Sequence, residues 1–321
     1  MTTTELISIY DINKAEARIH GYAYRTPSYP CFSEENSWLK LECFQPTRSF
    51  KIRGAANKIL SLPEERLAKG VVTASSGNHG LAVAFVAHKL GIKATIVLPE
   101  SVVPEKLAMI KNMGATPVLF GKQQDDRQRK ANELRDKEGF EFIQPYNDLE
   151  IIAGQATCGL ELAEDAPEVR TVFVPIGGGG LISGVSSALK LVGHTKHVKV
   201  IGVQPEGSPS MYTSFKKHEL STIPESKSIA DGLLVRKPGD ITFEFVRRFV
   251  DDIVLVSDNE IIDATRQLIT KEHVLAEPSG AASFAALLKM HKSEQGPKTK
   301  AAAVVSGGNI SGEMLRRISE K

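Results

Sequence analysis

A lysine and three glycine-rich turns carry the chemistry that can be read from this chain. Lys51 stands in FQPTRSFKIRGA, residues 44–55. A protonated lysine amine is a poor nucleophile. Burial or a neighbouring cation lowers its pKa and frees the lone pair for a Schiff base. Most lysines are solvated surface charges, so Lys51 takes its meaning from the turns SSGNHG (75–80), GGGGL (177–181) and SGGN (306–309). Each follows an apolar run and so falls at the C-terminal end of a strand. Four successive glycines let backbone N–H groups converge on an anion, and a helix N-terminus adds positive potential there. The alternative for any one of these turns is a tight connection that binds nothing.

Two common nucleotide sites can be tested against these glycines. The dinucleotide turn needs glycine at i, i+2 and i+5. Counted from Gly177 the third place is Ile182, and counted from Gly178 it is Ser183. The nucleoside-triphosphate loop needs Gly-Lys-Ser/Thr, but Gly184 is followed by Val185. Both patterns fail, which leaves a phosphate cup without the rest of a nucleotide site and argues against a nucleotide-binding dehydrogenase.

The elements that must hold these residues alternate along the chain. GVVTASS, KATIVLPE, ATPVLFG and FEFIQPY read as strands between residues 70 and 146. HGLAVAFVAHKLG, VPEKLAMIKNMG and QDDRQRKANELRDKEG read as the helices between them, with Gly91 and Gly114 as stops. The rhythm predicts a parallel sheet with helical crossovers. A long helix is expected over NDLEIIAGQATCGLELAED, then strand TVFVPI, a helix from about Leu181, and strand VKVIGVQP. Farther on, NEIIDATRQLITKE and AASFAALLKMHK read as helices, KAAAVVSGGN as a buried strand meeting a turn, and His218 to Lys227 as a surface loop. The expected fold is α/β, two doubly wound parallel-sheet lobes with a ligand cleft along the carboxyl ends of their strands. The expected division is a large domain of residues 1–68 and 148–321 and a small, mobile domain of 69–147.

Composition narrows the function classes. The 321 residues suffice for a full core, and a formal net charge of +2 points to neither nucleic acid nor membrane. Cys31, Cys43 and Cys158 are far apart with no CxxC pair, which argues against structural zinc and disulfides and fits a reduced cytosol. The opening MTTTELISIYDINKAEARIHG lacks an apolar leader, and no apolar run approaches the ~20 residues that span a bilayer. A cytoplasmic location is expected.

SFKIRGA, SSGNHG, GGGGL, EPSGA and SGGN occur in this order, and IAGQ and IADG are also present. Together they resemble the serine/threonine dehydratase and serine racemase family, pyridoxal-phosphate enzymes of the tryptophan-synthase-β-like fold (fold type II). The resemblance runs from about Ile19 to Asn309. It implies that Lys51 holds the cofactor as a Schiff base and later acts as the Cα base, and that Phe50 packs on the pyridine ring. It implies that the amides of Gly177, Gly178, Gly179, Gly180 and Leu181 bind the phosphate, Asn78 the ring hydroxyl and Ser306 the ring nitrogen. The turn Ser75, Ser76, Gly77, Asn78, His79 would receive the substrate carboxylate, with Gly232 near the substrate side of the ring. The implied reaction is β-elimination from a small hydroxy amino acid, giving a 2-oxo acid and ammonia. A homodimer is a family expectation.

Several residues keep a second reading. Ser76 stands where racemases of the family use a serine to reprotonate Cα from the opposite face, yet it reads equally as a turn serine. Ser306 could be a helix N-cap. His79 could merely line its turn, and Glu277 could face the ring or stabilise the helix that follows it. A serine hydroxyl cannot hold the pyridine nitrogen protonated as a carboxylate can. Ser306 therefore favours prompt loss of a β-hydroxyl.

The sequence also departs from the family pattern. Arg48 replaces the usual glycine before SFK, either as a contact for an acidic substrate or as a solvated rim charge. In GVQPEGSPS, Gln204 and Ser210 stand where the racemase's divalent-metal carboxylates are expected, so no metal is assigned. The chain ends at Lys321, soon after SGGN, and no C-terminal regulatory domain is expected. A threonine/serine ammonia-lyase leads. A serine racemase with side elimination activity and a 3-hydroxyaspartate dehydratase are the alternatives. A non-catalytic scaffold sits poorly with an intact Lys51 and a full set of cofactor motifs.

Overall fold

The computed structural model describes residues 6–75, 77–102, 104–121, 124–292 and 299–320. Helix α1 (Ile9–Ile19) opens with a capping box between Ser8 and Asp11. A hairpin-like pair follows, β1 (Ser28–Pro30) antiparallel to β2 (Ser37–Leu41). The chain then forms α2 (Lys51–Leu60), the short α3 (Glu64–Leu67), β3 (Val71–Ala74), α4 (Asn78–Leu90), β4 (Ala94–Leu98), α5 (Pro104–Asn112), β5 (Thr116–Leu119), α6 (Gln124–Glu138) and β6 (Glu141–Phe142). Gly91 ends α4 at φ +67° and Gly114 follows α5 at φ +73°, backbone angles that glycine adopts without strain.

The remainder alternates α7 (Leu149–Asp165), β7 (Thr171–Pro175), α8 (Gly180–Leu191), β8 (Lys199–Pro205), α9 (Ser210–Lys217), α10 (Asp240–Phe249), β9 (Asp252–Val256), α11 (Asp258–Thr270), α12 (Pro278–Lys292), β10 (Ala301–Val305) and α13 (Gly312–Ser319). No helix among the described residues is long and apolar enough to cross a membrane.

Two sheets result. Six strands run in the order β1-β2-β10-β7-β8-β9, parallel except for β1, and four parallel strands run in the order β5-β4-β3-β6. β7 (TVFVP) and β10 (AAAVV) are buried at every position, as central parallel strands covered on both faces must be. The strand order reverses between β3 and β6 in one sheet and between β7 and β10 in the other. Ligands of open α/β sheets bind at such points. Ser75, Gly177 and Ser306 begin the turns that leave β3, β7 and β10 there.

Helix α2 joins the two sheets. Its Ile52, Ala55, Ala56 and Ile59 share one apolar cluster with Leu81, Val83 and Val86 of α4 and with Ile151 of α7. Gly54 and Gly154 are where α2 and α7 touch backbone to backbone, and a methyl group on Gly154 would overlap Gly54 Cα. The strand expected over FEFIQPY is only two residues long. Ile143 still donates its N–H to Val72 O, and then Pro145, which has no N–H to donate, ends the ladder. His218 to Lys227, expected as a surface loop, carries no helix or strand.

Candidate active site

Lys51 is the first residue of α2, and its Nζ donates to Pro145 O at 2.7 Å. The Phe50 ring centre lies 5.1 Å from the same nitrogen. Burial pushes the amine down to about 8. The positive end of α2 acts in the same direction. A lone pair is thus available at mildly alkaline pH, as a Schiff-base lysine needs.

The residue after Pro145 leads to the glycine turn. A methyl group on Gly178 would enter the Tyr146 ring, and one on Gly180 would lie 2.9 Å from Tyr146 Cβ. Gly179 sits at φ +100°, where a Cβ would meet Thr242 Oγ1 at 2.8 Å, and Thr242 donates to Gly178 O at 2.6 Å. The backbone N–H groups of Gly177 to Leu181 donate to no acceptor among the described residues. Among the described residues no side chain caps α8, whose N-cap is Gly179. Unsatisfied amides gathered at a helix N-terminus are a ready anion site.

Ser306 completes this ring from β10. Its carbonyl accepts from Phe50 N at 3.1 Å, and Ser49 pairs with Gly307 as an isolated bridge, so the lysine turn and the strand end are locked together. The Ser306 side chain is buried and among the described residues has only a long 3.5 Å contact to Ser279 O, beyond the usual length for a hydroxyl donor. Its second reading as a helix cap does not hold: the next helix, α13, starts six residues later under Ser311. Ser279 Oγ accepts from Gly232 N at 2.9 Å, and Gly232 O would lie 3.0 Å from a Cβ on Gly177. Gly232, Ser306, Phe50, Lys51, Tyr146 and the glycine turn therefore form one closed circuit.

The β3 turn meets this circuit through Asn78, the first residue of α4. Its Nδ2 donates to Glu277 Oε1 at 2.6 Å, and its Oδ1 accepts from Asn309 Nδ2 at 2.7 Å. Glu277 thus faces the site as well as preceding α12. Ser75 Oγ accepts from Gly77 N at 3.3 Å. His79 is buried, and burial, aided by the charge of Lys51, lowers its pKa to about 3. Its Nε2 meets Ile143 O at 3.0 Å, and a carbonyl only accepts, so the neutral ring carries its proton on Nε2. That pins His79 as a neutral wall of the turn. Ser76 lies outside the described residues.

A buried amine beside a cup of open amides and a buried hydroxyl at a strand end is the equipment that pyridoxal phosphate requires. The family model for pyridoxal-phosphate dependent enzymes matches residues 21–307. The chain belongs to this family. The enzyme is 44% identical to an L-threonine ammonia-lyase of Thermotoga maritima, over 98% of its own length and 79% of that protein's. It is 42% identical to the catabolic L-threonine dehydratase TdcB of Escherichia coli K12, over 98% and 95%. Among solved structures it resembles maize serine racemase, with TM-score 0.92, 36% identity and 98% coverage of both chains. It also resembles the processed form of threonine deaminase isoform 2 from Solanum lycopersicum, with TM-score 0.91, 30% identity and coverage of 100% and 91%.

Two departures from the family pattern have structural explanations. Arg48 is exposed at φ +60°, the left-handed region that glycine occupies without strain. Its N–H donates to Gln45 O and its carbonyl accepts from Gly308 N, both at 2.8 Å, so the turn imposes the angle. Left-handed backbone costs a non-glycine residue about 1–2 kcal/mol, partly offset by the extra freedom of glycine when unfolded. Arg48→Gly is therefore expected to stabilise the protein by about 0.5–1 kcal/mol, read as a higher urea midpoint at unchanged slope. An unchanged or lower midpoint would show that the guanidinium offsets the strain.

Gln204 is fully buried. Its Oε1 accepts from Tyr212 N at 2.8 Å and its Nε2 reaches Ile176 O at 3.4 Å, so its amide ties β8 to α9 and β7. No group of three or more His, Cys, Asp or Glu that could hold a metal occurs among the described residues. Asn309, the last residue of SGGN, borders the site through its bond to Asn78. Tyr146 and Thr242 also border it; they act by shape and hydrogen bonding against glycines, and nothing in their spacing marks them.

Proposed function

We propose that the enzyme is an L-threonine/L-serine ammonia-lyase: the β-hydroxyl of a small hydroxy amino acid leaves as water, and hydrolysis of the resulting imine takes water back and releases ammonia, giving a 2-oxo acid. Bound pyridoxal phosphate supplies an electron sink for the bonds at the substrate Cα. Lys51 Nζ would hold the cofactor covalently. The same nitrogen, once free and neutral, takes the Cα proton as general base. The open amides of Gly177 to Leu181 hold the phosphate, Phe50 packs on the ring, Asn78 donates to the ring hydroxyl, and Ser306 meets the ring nitrogen. The turn of Ser75, Gly77, Asn78 and His79 receives the substrate carboxylate, and Gly232 borders the substrate.

Ser306 is the observation that carries this reading. A hydroxyl at this buried position, in place of a carboxylate, leaves the ring nitrogen without an anionic partner to keep it protonated. Charge displaced from Cα is then best discharged onto a departing β-hydroxyl. The relatives named as threonine ammonia-lyase and threonine dehydratase support the same choice. The structural likeness to maize serine racemase supports a racemase as the second reading.

The deciding experiment incubates the holoenzyme with L-Thr, L-Ser, D-Ser and 3-hydroxyaspartate and scores 2-oxo acid and chirality together. The expected result is 2-oxo acid from L-Thr and L-Ser as the main product. L-to-D interconversion with little oxo acid would establish the racemase instead.

A further inference from the structure

The Asn78 side chain is held at both ends, and the polarity of the hold is fixed. Asn309 Nδ2 donates to Thr47 O at 3.0 Å, which only accepts, so the NH₂ end of Asn309 must face inward. That NH₂ group also donates to Asn78 Oδ1 at 2.7 Å. Asn78 Nδ2 must then be the outer end, and it donates to Glu277 Oε1 at 2.6 Å. An amide NH₂ has two hydrogens, and the second has no partner among the described residues.

Three distant segments are arranged to make this hold possible. Glu277 N donates to Gly307 O at 3.0 Å, and Gly308 N donates to Arg48 O at 2.8 Å. A methyl group on Gly307 would overlap Glu277 Oε1 and lie 3.2 Å from Asn78 Nδ2. The glycine after Ser306 is thus needed for the carboxylate to reach the amide.

We propose that Glu277 and Asn309 are positioning residues that lock the Asn78 amide so that its remaining N–H points to the ring hydroxyl oxygen of the cofactor. The inference rests on Asn78 being a cofactor residue, as proposed above. A freely rotating asparagine would offer its carbonyl as readily as its NH₂, and a carbonyl facing a ring oxygen anion would be repulsive. The two fixed partners remove that alternative before the cofactor arrives, and a donor aimed at the oxygen favours its deprotonated form.

The test is equilibrium binding of pyridoxal phosphate to the apo-protein, with the pH dependence of the bound cofactor's visible band as a second readout. Asn309→Ala and Glu277→Ala are each expected to weaken binding about 10-fold and to move deprotonation of the ring hydroxyl to higher pH, whereas Glu277→Gln, which keeps an acceptor, stays within about twofold. In an Asn78→Ala background, Asn309→Ala is expected to add less than about twofold, because its effect passes through Asn78. A full additional loss in that background, or unchanged binding in both single variants while Asn78→Ala is impaired, overturns the proposal and leaves the role of Asn78 standing. Unchanged binding in Asn78→Ala overturns that role and the proposal with it.

Discussion

Lys51→Ala is expected to purify without the visible Schiff-base absorption and to lose at least about 10³-fold in kcat/KM. In the proposed mechanism one atom carries two duties, covalent attachment and Cα proton removal, so no neighbour can restore both. His79 is neutral, but burial lowers its pKa to about 3, which makes it a poor base for a Cα proton. Lys51→Arg should fail equally, since a guanidinium stays protonated. The pH dependence follows from the lowered pKa. The amine is charged below about 8 and neutral above it, where an ordinary lysine would stay charged to about 10.5. Borohydride trapping of pyridoxal on the apo-protein should therefore rise with pH through a midpoint near 8. A midpoint near the ordinary lysine value would refute the burial argument, and full visible absorption in Lys51→Ala would refute the assignment itself.

The fold was most legible where one signal sufficed. The strands around VVTA and ATIVL are apolar runs with glycine or proline at their ends, and their helices stop at Gly91 and Gly114. FEFIQPY forms a shorter strand than its pattern predicts, because Pro145 ends the pairing that Glu141 begins. The N-terminal strands were not legible. SWLKL places Lys40 at a fully buried position, which reads as a surface residue until its partner Glu161 is known, 121 residues away. At the site, the motifs located Lys51, the glycine turn and Ser306, whose types alone carry chemistry. Arg48 looked like a substitution in side-chain chemistry, whereas the structure shows a backbone requirement that glycine usually meets. Tyr146 and Thr242 could not be read because fitting against a glycine leaves no trace in spacing.

The second large effect lies two residues beyond Lys51 and concerns stability. Arg53 is 1% exposed, and its guanidinium grips two carboxylates at once. Nε and Nη2 reach Glu42 at 2.7 and 2.8 Å, and Nη1 and Nη2 reach Glu161 at 2.6 and 2.8 Å. Thr157 Oγ1 takes the second Nη1 hydrogen, Tyr24 O shares Nη2 at 3.2 Å, and Lys40 adds its own 2.7 Å bond to Glu161. Two cations and two anions therefore cancel inside the protein.

Burial opposes the charge on Glu42, but Arg53 together with Lys40 and Thr26 outweighs it and holds the carboxyl below its ordinary range. The stabilisation from this shift is present above the unfolded carboxyl's pKa and is lost on acidification through the lower folded value. Arg53→Met should cost about 3–5 kcal/mol, because it strands two buried carboxylates on Lys40 alone. It should also move the surviving stability toward lower pH, since an uncompensated Glu42 must be protonated to remain inside. Adding Glu42→Gln to Arg53→Met should recover a large part of the loss, a non-additivity that urea midpoints measure directly. Additive losses would mean that the carboxylates find other partners. Such a cluster stabilises less than a well-packed apolar core of equal volume would. What it adds is direction: two forked ion pairs fix α2 against α7 and the turn that leaves β2, and Lys51 is the first residue of that helix.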